Sequence, residues 1–518
     1  MAQRADPVKS GSGIAAAALV VSMMLAATVG VALRIEPGAA LGPGDWAAIR
    51  FTLVQALWSA GLSVLLAVPV ARALARRQFP GRQALVLLLG APFILPVIVA
   101  VMGLLAVFGR NGWANLALDA VGLPNISIYG MHGVVLAHVF FNLPLATRML
   151  LQAWQTVPAE RFRLAAQLRL TPWAIFRVVE WPLLKQVLPG VAALIFVICL
   201  TSFAVALTLG GGPRATTIEL AIYQAFRFDF DLGRAALLSV VQLVLAGSAA
   251  LLALWVLPSL SLGGGQDRAV ARWDAKGAWP RAIDTLLILI AACFLLLPLF
   301  AVALRGASGL LLVPSVVWVG ALNSLWVAGL SMLLLVILAL PMAAWIAQQR
   351  AGGVEAIGLF GLAASPLMIG TGWFILINPV ADPRAFALPV TALVNALMSL
   401  PFCLRILVPR MRDTMRDYGP LALSLHMRST AFWRWVLLPR MAAQLGFAAG
   451  LTGALSIGDL GVIALFADGD RATLPLQMYR LMGAYRMEAA AGAALLLLMM
   501  ALAIFWACDR GGRQLAKA

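Results

Sequence analysis

The stretch RLAAQLRLTPWAIFRVVEWP, residues 163–182, is basic and amphipathic in a chain where charge is otherwise scarce. Its apolar residues alternate with Arg163, Arg177 and Glu180 at roughly helical spacing, which predicts a short pair of helices with a polar face. Pro182 is expected to end this pair before the next apolar run begins. Because strongly apolar segments flank the stretch on both sides, we expect it to lie outside a lipid bilayer.

A second copy of this stretch, PLALSLHMRSTAFWRWVLLP, occupies residues 420–439. The two copies align without a gap, so that Arg177 corresponds to Arg434 and Pro182 to Pro439. Two further matches have the same separation: LPLATR (143–148) with LPFCLR (400–405), and RAT (214–216) with RAT (471–473). A repeat with an even number of spans keeps its direction, so the sequence predicts two parallel units related by a pseudo-two-fold axis along the membrane normal.

The composition is that of a polytopic membrane protein. Of 518 residues, 62% are hydrophobic and only 11% are charged, and the mean hydropathy is +0.95. A soluble protein could not cover its surface with so little polar material. The net charge of +17 would suit nucleic-acid binding, but we favour the basic residues that flank membrane helices on the cytoplasmic side. The four cysteines have spacings that fit neither a disulfide framework nor a metal site.

Twelve apolar segments are long enough to cross a bilayer. They lie near 14–33, 51–71, 84–109, 131–155, 186–207 and 235–257, and then near 284–304, 321–347, 356–378, 388–409, 441–466 and 487–507. The first segment resembles a signal peptide in position, but its length favours an uncleaved helix.

These spans divide the chain into a first half (1–257), a Gly-rich, charged cytoplasmic linker (258–283) and a second half (284–518). With the N-terminus in the cytoplasm, most of the 38 Lys and Arg residues lie on the cytoplasmic side. That bias predicts cytoplasmic N- and C-termini and places both basic stretches, near 160–182 and 417–439, in the cytoplasm.

Motifs for catalysis are missing from the sequence. None of the four lysines follows a Gly-rich loop in the manner of a P-loop, so any use of ATP must occur on another polypeptide. The three histidines do not cluster with carboxylates or cysteines, and no nucleophile motif is present. We therefore expect neither catalysis nor a metal site in this chain.

A charge inside a predicted span makes Asp459, in LSIGDLGVIAL, a candidate for the translocation path. A carboxylate at mid-bilayer costs roughly 2.5–3.5 kcal/mol unless it faces a partner or water. It either lines a pathway or makes a hydrogen bond within the helix bundle, and the sequence leaves both open.

Two large loops, 210–231 and 467–486, are expected on the outer side of the membrane. They either dock a solute-binding protein or are solvated loop faces. If they dock a protein, the candidate residues are Arg214, Glu219, Tyr223, Arg471 and Tyr479.

The two basic stretches resemble the EAA loops of bacterial ATP-binding-cassette (ABC) importer permeases, whose short coupling helices insert into grooves on the ATPase subunits. The stretch TSFAVALTLGGGPRATTIELAIYQAF (201–226), together with LSIGDLGVIALF (455–466), looks like the thiamine permeases of this class. The resemblance implies an all-α, MetI-like fold of about twelve transmembrane helices in two parallel six-helix repeats. It also implies the bacterial inner membrane, a transport subunit rather than an enzyme, and thiamine or its phosphate esters as solute.

The same resemblance implies the partners: two copies of a cytoplasmic ATPase, which bind ATP and Mg, and a periplasmic thiamine-binding protein. It assigns ATPase coupling to Arg163, Leu164, Ala165, Ala166, Leu168, Arg169, Trp173, Arg177, Leu421, Ala422, Leu425, His426, Arg428 and Arg434. The sequence departs from the family pattern, because the usual acidic first position is Arg163 or Pro420 and the usual glycine is Arg169 or His426. The docking position carries over to this chain, but the familiar contact chemistry does not.

A cationic thiazolium favours aromatic faces and a carboxylate. Candidate path residues are therefore Ser202, Phe203, Trp373, Ser456 and Asp459, with Tyr223 as a further aromatic candidate. Ferric iron or another small ion remains an alternative solute within the same class. An ion-coupled secondary transporter is an alternative from another class, but it would usually carry several ionisable residues inside its spans. A membrane-embedded enzyme is a third alternative.

Overall fold

The computed structural model describes residues 11–90, 92, 94–212, 215–256, 277–348, 365–466 and 469–516. All regular structure in these ranges is helical, and eleven helical stretches are long and apolar enough to cross a membrane. The predicted span 356–378 begins outside the described residues and continues as the shorter apolar helix Pro366–Ile377. The prediction of a polytopic, all-helical membrane protein is confirmed.

We call residues 11–256 the first half and residues 277–516 the second half. The helices of the first half are α1 (Gly11–Ala32), α2 (Pro43–Arg76), α3 (Arg82–Leu88), α4 (Val97–Phe108), α5 (Trp113–Ala120), α6 (Met131–Gln155), α7 (Ala159–Gln167), α8 (Pro172–Ile175), α9 (Trp181–Leu200), α10 (Ala204–Leu209), α11 (Ile218–Arg227) and α12 (Leu232–Val256). Those of the second half are α13 (Ala278–Gly309), α14 (Ser315–Gln348), α15 (Pro366–Ile377), α16 (Ala387–Ser424), α17 (Ser429–Phe432), α18 (Leu438–Ile457), α19 (Gly461–Phe466), α20 (Leu474–Gly483) and α21 (Met487–Leu515).

The first helix of each half packs against the other half. Helix α1 lies against α14 and α15, and helix α13 lies against α2 and α4. Each crossing contains a glycine that lets two backbones approach closely, as small residues do between membrane helices. A Cβ atom on Gly372 would lie 2.2 Å from the Ala27 carbonyl oxygen, and one on Gly103 would lie 2.6 Å from the Pro298 carbonyl oxygen. The two halves are therefore interlocked through both of their first helices.

A buried ion cluster joins the halves at one end of α13. Asp284 accepts hydrogen bonds from Arg76 Nη2 at 2.7 Å and from Arg77 Nε at 2.8 Å. The Asp284 side chain is almost fully buried, and the Arg76 and Arg77 side chains are only 9% and 16% exposed. The carboxylate belongs to the second half and both guanidinium groups to the first, so the cluster ties α13 to the end of α2.

Two predicted boundaries differ from the structure. The segment 84–109 is not one span, because α3 ends at Leu88 and α4 begins at Val97. Pro92 and Pro96 lie in this interval, and a proline cannot donate the backbone hydrogen bond that a continuous helix requires. Helix α13 begins at Ala278, inside the segment predicted as linker. Residues 258–276 of that predicted linker lie outside the described residues.

Candidate functional site

The first basic segment, which we define as residues 159–180, turns an apolar surface outward. Its helix α7 packs inward through Phe162 and Ala165, and Leu164 and Leu168 on its other side are 55% and 63% exposed. Trp173 on α8 is 70% exposed. Exposed apolar groups grouped within a basic segment are typical of a surface that binds another protein.

The second basic segment, residues 416–437, presents the same surface. Leu421 and Leu425, which correspond to Leu164 and Leu168, are 55% and 64% exposed, while Ala422 and Phe432 are buried. Of the residues predicted to couple to an ATPase, the exposed ones are Arg163, Leu164, Leu168, Arg169, Trp173, Arg177, Leu421, Leu425, His426, Arg428 and Arg434. Ala165 and Ala422 are buried and Ala166 is half-buried, so these three support the surface from inside.

The ends of the two basic segments differ from the sequence prediction. Pro182 does not end the first segment, because α8 continues through a π-helical turn, Phe176–Glu180, directly into α9. A matching π-helical turn, Trp433–Leu437, leads into α18. Pro420 does not begin a separate helix either, since it lies inside the long helix α16. Each basic segment is therefore continuous with the membrane helix that follows it.

Arg169 and His426, which stand where the family pattern has glycine, both adopt a left-handed backbone conformation. Their φ angles are +50° and +49°. In the first segment, Leu170 N donates to Ala165 O and Arg169 N donates to Ala166 O, which is the Schellman hydrogen-bond pattern at a helix end. Met427 and His426 donate in the same way to Ala422 and Leu423. The turn is therefore conserved in shape between the two segments although glycine is absent from both.

Replacing Arg169 with glycine is expected to raise the free energy of unfolding by about 1 kcal/mol, because the left-handed conformation costs a non-glycine residue roughly that amount. Thermal unfolding of the purified chain in detergent measures the change. Arg169→Ala is the matched control, since it removes the guanidinium group and keeps the backbone strain. Equal stability of the glycine and alanine variants would contradict the assignment of strain to this turn.

Glu180 lies elsewhere than the sequence predicts. It was predicted on the polar face of the first basic segment, but it is fully buried, with Oε2 2.7 Å from Arg72 Nε on α2. The Arg72 guanidinium also lies over the Phe176 ring, 5.1 Å from its centroid. In the second half, Arg440 lies 3.8 Å from the Tyr418 ring centroid. The first basic segment is thus joined to α2 by a buried ion pair, which the sequence did not reveal because Arg72 and Glu180 are far apart along the chain.

The predicted spans 186–207 and 441–466 are each broken near one end. Helix α9 ends at Leu200 and α10 begins at Ala204, and helix α18 ends at Ile457 and α19 begins at Gly461. Ser202, Phe203 and Asp459 lie in these breaks. Irregular backbone within a membrane protein is tolerated where it is buried in protein or lines a cavity, and broken helices commonly form solute sites in transporters.

Buried polar side chains support both breaks. In the first half, His138 Nε2 lies 2.8 Å from Ser202 Oγ, and its Nδ1 lies 3.1 Å from Ser59 Oγ. In the second half, Asn395 Nδ2 donates to Ser456 Oγ at 3.0 Å, and Asp459 Oδ1 accepts from Gly461 N at 3.2 Å. Ser456 is thereby held beside the break, and His138 is buried between the two serines that it contacts. These polar groups fix the shape of the irregular backbone.

The remaining path candidate, Trp373, lies half-buried on α15. Its neighbour Phe374, which sequence reasoning missed, packs between the two halves. The Phe374 ring is 4.5 Å from the Phe226 ring and 5.4 Å from the Phe466 ring, centroid to centroid. An aromatic cluster thus joins α11 and α19 beside the breaks.

The candidate residues for docking a binding protein differ in how far they are buried. Glu219 and Tyr223 are buried on α11, because the strongly amphipathic helix turns that face toward the bundle. They are therefore unavailable to a partner in this conformation. Tyr479 is half-buried on α20. Arg471 is exposed, and its Nη1 donates to the Arg384 carbonyl oxygen at 2.7 Å. Arg214 lies outside the described residues.

Comparison with known proteins gives relatives along nearly the whole chain. The chain is 40% identical, over 98% of its length and 97% of the relative, to the thiamine transport system permease protein ThiP of Salmonella typhimurium. It is 39% identical, over 98% of both chains, to the protein of the same name from Escherichia coli. No family model matches the chain.

A more distant likeness covers part of the chain. Over 27% of its length, the chain is 30% identical to the sulfate transport system permease protein CysW of Synechococcus elongatus, of which 48% is matched. Permeases for different solutes thus share sequence with this chain.

Proposed function

Because the chain belongs to the family of thiamine transport system permease proteins, the membrane subunits of ABC importers, we propose that it carries thiamine across the bacterial inner membrane. The observation that carries this proposal is the 40% identity to such a permease along 98% of the chain. The phosphate esters of thiamine are further candidate solutes. The likeness to a sulfate permease covers too little of the chain to favour an inorganic anion.

Movement of the solute requires an energy source on another polypeptide, since the sequence has no P-loop. The two basic segments supply the docking surfaces for two copies of a cytoplasmic ATPase, one on each half, and ATP and Mg bind to those subunits. The matching exposure of Leu164 and Leu421, and of Leu168 and Leu425, supports this arrangement. Both segments, and with them both termini of the chain, lie in the cytoplasm.

Closure of the ATPases moves the two halves relative to each other in alternating access. The force enters through the basic segments and passes to α9 and α18 without an intervening loop. In the first half it also reaches α2 through the buried pair of Arg72 and Glu180. The solute arrives from a periplasmic thiamine-binding protein at the outer ends of the bundle, where Arg471 is exposed.

The function is tested by uptake of radiolabelled thiamine into proteoliposomes that contain this chain, its ATPase and its binding protein. We expect uptake that requires ATP and the binding protein and that excess sulfate or ferric iron leaves unchanged. ATP-independent uptake would point to a secondary transporter. Uptake of sulfate or iron in place of thiamine would overturn the proposed solute and leave the permease class intact.

A further inference from the structure

The carboxylate of Asp459 and an aromatic ring of the other half both lie close to Gly461, at the break between α18 and α19. A Cβ atom placed on Gly461 would lie 3.7 Å from Asp459 Oδ1 and 3.7 Å from Phe203 Cδ1. Asp459 belongs to the second half, and Phe203 lies in the corresponding break of the first half. The acid and the ring therefore flank one point on the interface between the halves.

The two oxygens of Asp459 differ in their contacts. Oδ1 accepts from Gly461 N at 3.2 Å and so caps the short helix α19. The Asn395 amide and the backbone N–H groups of Val462 and Ile463 also face the carboxylate. Oδ2 is shielded from solvent and has no hydrogen-bond partner among the described residues. A buried polar atom without a partner costs about 1–3 kcal/mol, and more when it is charged. A cap alone could be provided by serine or asparagine without that cost.

The ring beside Asp459 is part of an aromatic surface. The Phe203 and Tyr223 ring centroids are 5.3 Å apart, with the rings inclined at 62°. Two arginines, Arg227 and Arg480, lie close enough to Tyr223 to act on its hydroxyl group electrostatically. Their charges disfavour a cation at the Tyr223 end of the surface. The Phe203 end, next to the carboxylate, is the end that attracts one.

The first half has no acid at the corresponding break. Ser202 occupies the position that aligns with Asp459, and its hydroxyl group is hydrogen-bonded to His138. The two breaks together therefore contain one carboxylate, and that carboxylate belongs to the second half.

We propose that Asp459 and the face of Phe203 bind the solute as an organic cation whose positive charge is delocalised over a flat ring. The thiazolium ring of thiamine is such a cation, so this inference rests on the proposed function and deepens it. In this structure Asp459 Oδ2 and the Phe203 side chain are both shielded from solvent. Separation of the halves would open a slot between the carboxylate on one side and the ring on the other, where a cation is stabilised by both.

Asp459→Asn tests the proposal, because asparagine caps a helix as well as aspartate but carries no charge. The permease–ATPase complex in nanodiscs, with and without ATP, is titrated with radiolabelled thiamine and with thiochrome, a neutral and fluorescent oxidation product of thiamine. We expect at least tenfold weaker binding of thiamine and less than a twofold change for thiochrome. Phe203→Leu should weaken thiamine binding severalfold. Asp509→Asn, which breaks the ion pair between the half-buried Asp509 and the exposed Arg513, is the matched control and should change the binding of neither compound.

The outcomes separate this inference from the proposed function. If Asp459→Asn bound thiamine within twofold of the wild type, the proposed site would be wrong. An equal loss of affinity for thiamine and thiochrome would also overturn the site, because it would assign Asp459 to helix capping alone. A wild-type complex that imports thiamine but binds none without its binding protein would overturn it too. A wild-type complex that imports no thiamine would overturn the proposed function itself.

Discussion

Glutamate at Leu168 or at Leu425 is expected to detach the ATPase from the purified complex and to abolish ATP-driven uptake. Both leucines are more than 60% exposed at corresponding places in the two basic segments. Burial of an uncompensated charge in an apolar contact is unfavourable, and a central apolar contact contributes about 2 kcal/mol or more to binding. Each substitution should therefore weaken its own docking site by roughly thirtyfold. Co-purification of the ATPase with the tagged chain, and uptake into proteoliposomes, measure the two effects.

Leu311→Glu is the control for this experiment. Leu311 is 91% exposed and follows the end of α13 that is remote from the buried cluster at Asp284. The same change of chemistry there should leave the bound ATPase unchanged. If Leu168→Glu and Leu425→Glu retained as much ATPase as Leu311→Glu, the basic segments would not be the docking surfaces. Loss of the bound ATPase from only one of the two basic-segment variants would show that a single ATPase position supports binding.

Asp284→Asn is expected to lower the free energy of unfolding by about 3–5 kcal/mol, the usual effect of removing one partner from a buried ion pair. The variant leaves two nearly buried guanidinium groups, those of Arg76 and Arg77, without their shared carboxylate. Because the cluster joins α13 to α2, the loss should weaken the association of the halves. The midpoint of thermal unfolding in detergent measures the effect, and limited proteolysis tests for separation of the halves.

Asp509→Asn provides the comparison for Asp284→Asn. It breaks an ion pair of similar length, 2.7 Å, in which the arginine is 66% exposed and the aspartate 18%. A pair one helical turn apart on a helix contributes only about 0.3–0.5 kcal/mol. An Asp284→Asn variant no less stable than Asp509→Asn would mean that the buried cluster contributes nothing net to the joining of the halves.

The sequence predicted those features that depend on neighbouring residues. Long apolar runs predicted the membrane helices, and the run 131–155 coincides with α6. The alternation of apolar and basic residues located both basic segments, and a comparison with the family pattern singled out Arg169 and His426. Their backbone conformation agrees with that pattern, since a turn that usually takes glycine still needs a positive φ angle.

The sequence could not predict features that depend on distant residues or on interruptions within apolar runs. Glu180 and Asp284 appear as ordinary polar residues until Arg72, Arg76 and Arg77 are brought beside them by packing. Likewise, the burial of Glu219 depends on the face that α11 turns toward the bundle. The helix breaks near Phe203 and Asp459 contain no proline and are only three residues long, so the average hydropathy of the long apolar runs around them does not reveal them.

The difference between the two helix breaks gives a reason for joining both halves in one polypeptide. A symmetric dimer of the first half would have serine at both breaks, and a dimer of the second half would have two aspartates there. Because the first helix of each half packs against the other half, halves made as separate polypeptides could pair with copies of themselves during assembly. Synthesis of both halves as one polypeptide fixes their ratio at one to one and favours the unlike pair, so every transporter molecule has one aspartate and one serine at its two breaks.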